Sequence, residues 1–156
     1  MNVEVIIKTD KKIPLGSRTI IHLILIHNKV SESFSHALKP FGISTQQFNV
    51  LRILRGQQSK PANLSTLNER MVSKMSNTTR LVDKLMKKGY VDRIVCMSNR
   101  RKVEITITKE GLKALSEMDD VLEKTEKEIL INFSDLELEQ LNLLFNKFYY
   151  TYEQLP

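Results

Sequence analysis

Tryptophan is missing from this 156-residue chain, aromatic residues make up only 6% of it, and charged residues reach 27%. That balance disfavours an all-β fold and suits a helix-rich one. Cysteine occurs once, at Cys96, which excludes an intrachain disulfide framework and a cysteine-cluster metal site and fits a reducing compartment. Glycine occurs five times, and the chain has neither a phosphate-cradling glycine loop nor a nucleophile elbow. With no metal-ligand cluster either, an enzyme or a resident cofactor is not expected. Nor is a membrane span, because the apolar run from Ile20 to Ile26 is interrupted by His22. It falls short of the roughly 18 apolar residues a spanning helix needs. Residues 1–16 contain Asp10, Lys11 and Lys12 without a small-residue cleavage pattern, so no secretory signal is expected and the cytoplasm is the expected location.

Acidic residues are also scarce, but only in one stretch. From Arg70 to Lys102 the bases are Arg70, Lys74, Arg80, Lys84, Lys87, Lys88, Arg93, Arg100, Arg101 and Lys102, against Asp83 and Asp92 alone. Beyond Lys109 the balance reverses, from Glu110 and Glu117 through Asp135, Glu137 and Glu139. The whole chain carries a net charge of +6. One block is therefore suited to a polyanionic partner and the other is not.

The pattern of apolar residues predicts the elements. "VEVII" near the start reads as a short strand or an arm. Ser17 is a candidate cap for a long helix ending near Leu38, before Pro40 and Gly42. Its first half, "IIHLILI", is apolar on every side and is expected to be buried all round. Ser44 and Gln47 form a capping box, flanked by the staple pair Ile43 and Phe48, for a helix that stops at Gly56. Asn63 caps a short helix through Met71. The turn "VSK" leads to a helix that Gly89 ends. "YVDRIVCM" and "KVEITIT" then alternate with period two around the basic turn "SNRR", which predicts a hairpin. Thr108 caps the next helix, with Leu112, Leu115, Met118, Leu122 and Ile129 on its apolar side. Ser134 and Glu137 form a second capping box, with the staple pair Phe133 and Leu138. In the last helix, Leu138, Leu141, Phe145, Phe148, Tyr152 and Leu155 have the spacing of a helix–helix seam.

The stretch "KMSNTTRLVDKLMKKGYVDR" holds the chemistry. At about 100° per residue, Met75, Thr78, Leu81, Val82, Leu85 and Met86 share one face. Ser76, Asn77, Arg80, Asp83, Lys84, Lys87 and Lys88 share the other. A solvated charged face would explain the charge, but not a short helix before it and a basic hairpin after it. Helix, turn, basic helix and basic hairpin together describe a winged helix-turn-helix. In that arrangement the second helix enters the DNA major groove, where Asn77 and Arg80 suit adenine and guanine edges. Lys84, Lys87 and Lys88 suit phosphates. Lys74, Ser76 and Thr78 at the helix start, and Asn99, Arg100, Arg101 and Lys102 at the hairpin tip, complete the expected DNA-facing set.

From about Ile43 to Gly111 the chain resembles the MarR family of winged-helix transcription regulators. "STQQFNVLRIL", "NERMVSKMSNTTRLVDKLMKKGYVDR" and "NRRKVEITITKEG" carry the resemblance. It implies a mainly α fold with a small β-hairpin wing, a single domain over 1–156 and a DNA-binding lobe at about 43–108. A dimerisation layer is implied at about 17–40 and 109–156. It further implies a homodimer on a pseudo-palindromic operator in double-stranded DNA, repressing until a small ligand or an oxidant weakens binding. The chain departs from the family twice. The turn has Val72 and Lys74 where the family often has Gly and a capping Ser, which leaves Ser73 and Ser76 as alternative starts of the recognition helix. Asn99 stands where the family usually has an Asp two residues before the tip arginine, so Arg101 is held without ionic attraction.

Several single residues admit other uses. Cys96 near Arg93 and Arg100 suggests a redox-responsive thiol, set against a small packing residue on a strand. Redox-sensing members of the family place their cysteine in the N-terminal helices, where this chain has none. His22, His27 and His36 are spaced by five and nine residues, not the i, i+4 pattern of two metal ligands on one helical face. His22, Ile26 and His27 are instead candidates for an effector pocket under the first long helix, set against purely structural use. A winged helix serving protein contacts, without specific DNA binding, is the alternative function.

Overall fold

The computed structural model describes residues 3–58, 60–74, 77–95 and 103–152. They form helices α1 (Val3–Ile6), α2 (Leu15–Leu38), α3 (Thr45–Gly56), α4 (Leu64–Arg70), α5 (Thr78–Lys87), α6 (Lys109–Leu130) and α7 (Asp135–Tyr152), with strands β1 (Val91–Val95) and β2 (Val103–Ile107) between α5 and α6. The expected class, mainly α with a hairpin wing, is what the chain adopts. It divides into two units, residues 1–125 and 126–156.

In the first unit the N-terminal segment departs from expectation. "VEVII" is neither strand nor arm: Val3 opens a one-turn helix and is fully buried. Glu4 pairs with Arg18 of α2 (Nε–Oε1 3.0 Å). Its own backbone amide, then Arg18 and His22, hold the Glu4 carboxyl below the ordinary carboxylate range. Ser17 is not the cap of α2, which starts at Leu15 after Pro14. The Pro14 carbonyl accepts the first helical bond from the Arg18 amide at 2.9 Å, and its missing N–H costs nothing outside the helix. The run "IIHLILI" is not buried all round either. Ile20, Ile24 and Ile26 are each at least half exposed, with no described element of the first unit packed over them.

The lobe that follows forms as the sequence dictates. Ser44 and Gln47 make a reciprocal capping box (2.9 and 3.2 Å), and the staple pair Ile43 and Phe48 is buried. Val50, Leu51 and Leu54 of α3, Leu67 of α4, Val82 and Leu85 of α5, Val91 and Ile105 of the hairpin, and Leu115 and Met118 of α6 share one core. Burying each large aliphatic side chain contributes about 1.5–3 kcal/mol. The hairpin pairs Val91 with Ile107 through Val95 with Val103, antiparallel. Ala62, just before α4, bridges Ile105 (N–O 2.9 and 2.8 Å) and ties the lobe's front edge to the wing.

Where β2 meets α6, the Thr108 hydroxyl accepts from the Gly111 amide at 2.9 Å, capping α6, and donates to the Gly89 carbonyl at 2.7 Å. Arg55 of α3 pairs with Asp119 of α6.

The second unit contains the end of α6 and α7. Ser134 caps α7 with Glu137, whose carboxylate accepts from the Ser134 amide and hydroxyl, each at 2.8 Å. Those bonds hold the Glu137 carboxyl below its usual range, the backbone amide contributing most. Phe133, Leu136, Leu143, Leu144, Phe145 and Phe148 of this unit are exposed. Leu155 of the expected seam lies outside the described residues.

Candidate nucleic-acid interface

Helix α4 is the first half of the helix-turn-helix. Asn63 caps it, its side-chain carbonyl accepting from the Thr66 amide at 2.8 Å. Leu67 and Met71 bury its inner side, and the Lys74 ammonium donates to the Glu69 carbonyl near its end. That leaves α5 as the exposed second helix, and its boundaries settle an alternative left open by the sequence. Its cap is Asn77, whose side-chain oxygen accepts from the Arg80 amide at 3.1 Å, and not Ser73. An Asn answers the unpaired first-turn amides as well as a Ser does.

At the far end the Gly89 and Tyr90 amides return to the Met86 and Leu85 carbonyls at 2.9 and 3.1 Å. Gly89 takes φ +73°, the left-handed terminator expected of a glycine at that place.

Thr78 and Asn77, both in the expected DNA-facing set, have structural roles at the start of α5. Thr78 is 4% exposed, and its hydroxyl donates to the Asn68 side chain of α4. It therefore pins the two helices together and does not face DNA; the helical position puts it inward, beside Val82 and Leu85. Asn77 stays exposed, but one lone pair of its oxygen is engaged at the helix start, which constrains how its amide can meet an adenine edge. We expect Thr78→Val, which keeps the shape and deletes the hydroxyl, to cost about 1 kcal/mol of stability. A urea unfolding midpoint equal to the parent's would mean the bond between the helices carries nothing.

Arg80, Lys84 and Lys87 stand on the exposed side of α5, opposite buried Thr78, Val82 and Leu85. Asp83 is the helix's one acid, and Arg93 of β1 holds it (2.9 Å). Sequence spacing gives no hint of that pair, because it arises where the first wing strand packs on α5. It sets a positive charge beside the helix's one carboxylate, which stays half exposed. Lys88 is turned away from that surface: its ammonium donates to the Phe41 carbonyl at 3.1 Å. Met86, expected inside, is 37% exposed. Ser76, Cys96, Asn99, Arg100, Arg101 and Lys102 lie outside the described residues.

Of the suggested effector-pocket residues, His22 is half-buried, while Ile26 and His27 are exposed on α2. Among the described residues no group of three His, Cys, Asp or Glu side chains could hold a metal ion. No helix among them is long and apolar enough to cross a membrane.

Residues 43–103 match the sequence profile of the MarR family. Solved structures agree over most of the chain. A MarR-like transcription regulator from Bacillus cereus superimposes with a TM-score of 0.76 at 22% identity, covering 88% of this chain and 99% of that one. A cysteine-to-serine mutant of MarR from E. coli, complexed with operator DNA, gives 0.71 at 25% identity, covering 86% and 93%. BpsR of Bordetella bronchiseptica, whose DNA binding is regulated by 6-hydroxynicotinic acid, gives 0.75 at 17% identity, covering 89% and 98%.

Proposed function

We propose that this chain, whose residues 43–103 match the MarR family, is a cytoplasmic, homodimeric repressor. It would bind a pseudo-palindromic operator and be released by a small ligand. The exposed face of α5 carries this reading. Arg80, Lys84 and Lys87 project from one side of a helix whose other side is core, and its single carboxylate is paired with Arg93. Such a face complements a groove walled by phosphates.

Dimerisation is supported by the apolar side chains each unit leaves uncovered, Ile20, Ile24 and Ile26 on α2 and, separately, Leu143, Leu144 and Phe148 on α7. A second copy is the occupant that a pseudo-palindromic site requires. Release by a ligand rests on the likeness to BpsR, a regulator whose DNA binding responds to a small aromatic acid.

The test is a gel-shift titration on the duplex recovered from a random pool, run over a range of salt. We expect two chains per duplex and a log–log slope of about −0.9 for each phosphate contact. A shallow slope with equal micromolar binding to every sequence would favour a protein-contact role.

A further inference from the structure

One cation of the basic block reaches from the end of α5 across to another part of the lobe. Lys88, the residue after α5, sends its ammonium to the Phe41 carbonyl at 3.1 Å. Phe41 ends the one-turn 3-10 helix Lys39–Phe41, through which α2 turns into the lobe. A cation is favoured there, where a terminal carbonyl is left without a helical partner.

Gly42, the next residue, has φ +64°, and a Cβ there would stand 3.0 Å from the Lys88 ammonium. Glycine thus supplies both the left-handed turn and the lane the lysine uses. On the other side of the same point, Thr108 at the head of α6 donates to the Gly89 carbonyl at 2.7 Å. Consecutive residues at the end of α5 are therefore held from two directions, by the end of α2 through Phe41 and by the start of α6 through Thr108.

We propose that Lys88 is a positioning residue for DNA recognition: it fixes the exit of α5 to the corner below α2, and so sets the distance between the two recognition helices of a dimer. The role rests on the proposed DNA-binding dimer. It separates Lys88 from Lys84 and Lys87, which adjoin it in the basic run but stand on the outer face. A lysine that touches phosphate contributes to salt dependence and is indifferent to the spacing of half-sites. A lysine that holds the helix at an angle does the reverse.

The experiment uses the full-length protein and the best duplex from a random pool, together with versions carrying one base pair inserted or removed between half-sites. The parent is measured first. Lys88→Met should leave the salt slope unchanged and shrink the penalty for altered spacing about tenfold, the size of one charge-assisted hydrogen bond. Lys88→Arg, which keeps a cationic donor, should restore most of that penalty. Lys87→Met should lower the slope by about 0.9 and leave the spacing profile alone. If Lys88→Met lowers the slope by one contact with an unaltered spacing profile, Lys88 is a phosphate ligand and the proposal is wrong. It is equally wrong if neither quantity moves. A parent that prefers no duplex overturns the DNA-binding reading itself, a result visible before any variant is made.

Discussion

Replacing Gly111 by alanine should destabilise the protein by about 3 kcal/mol, the upper end of the usual range for forcing extra volume into a packed site. A Cβ on Gly111 would lie 2.2 Å from the Tyr90 carbonyl oxygen and 2.9 Å from a carbon of Ile107. Tyr90 is the residue that leads into the wing, and its carbonyl also accepts from the Thr108 amide at 3.1 Å. The obstruction is backbone, so no side-chain rotation relieves it. Either α6 lifts away, losing the Thr108 bonds, or the entry to β1 shifts. Gly16 is the control, because a Cβ there meets nothing within 4 Å. Gly16→Ala should stabilise by up to about 1 kcal/mol through helix propensity and a stiffer unfolded chain. Urea unfolding of both variants decides the matter. Should the Gly111 variant unfold at the parent's midpoint, the close approach of α6 to the wing entry is not what demands glycine there.

The same region shows which features can be read without coordinates. The capping boxes at Ser44 and Ser134, the Asn63 cap, the Gly89 stop and the Thr108 cap all form between residues at most three or four apart. Their chemistry is local, so spacing alone reveals it. The hairpin was legible for the same reason, through its period of two. Thr78, Arg93 and Lys88 were not. Each meets a partner on another element, Asn68, Asp83 and Phe41, and nothing in the local pattern says whether a polar side chain on a helix border turns in or out.

Asn77 misled for a different reason. One amide suits both a base edge and a helix cap, and the order of residues does not say which demand is met. The exposed side of α2 marks a third kind of limit. An all-apolar run signals burial without saying whose surface supplies it, and among the described residues of the first unit no surface does.

The geometry of α5 leads to the largest expected effects on DNA. Arg80 lies in the first turn, just after the Asn77 cap, and Lys87 is the last residue of the helix. A recognition helix directs its first turn at bases and its flanks at phosphates. Arg80→Ala should therefore reduce the preference for operator over random duplex by about 1–3 kcal/mol, the range for losing a bidentate guanine contact. Lys87→Ala should weaken both complexes about equally and lower the salt slope by about 0.9. Asn77 needs a variant that separates its two possible jobs, since Asn77→Ala removes the cap and costs about 1 kcal/mol of stability whatever else it does. Asn77→Ser retains an oxygen for the Arg80 amide and deletes only the amide group. Because the Asn77 carbonyl is engaged in the cap, Asn77→Ser should bind operator within about twofold of the parent, a few tenths of a kcal/mol. Competition binding against random duplex measures all three. If the serine variant loses discrimination as far as Arg80→Ala does, the side chain leaves its cap on binding, and the helix start is remodelled by DNA. If Arg80→Ala instead lowers affinity for both duplexes alike, its guanidinium meets phosphate, and the first turn of α5 does not carry the sequence reading.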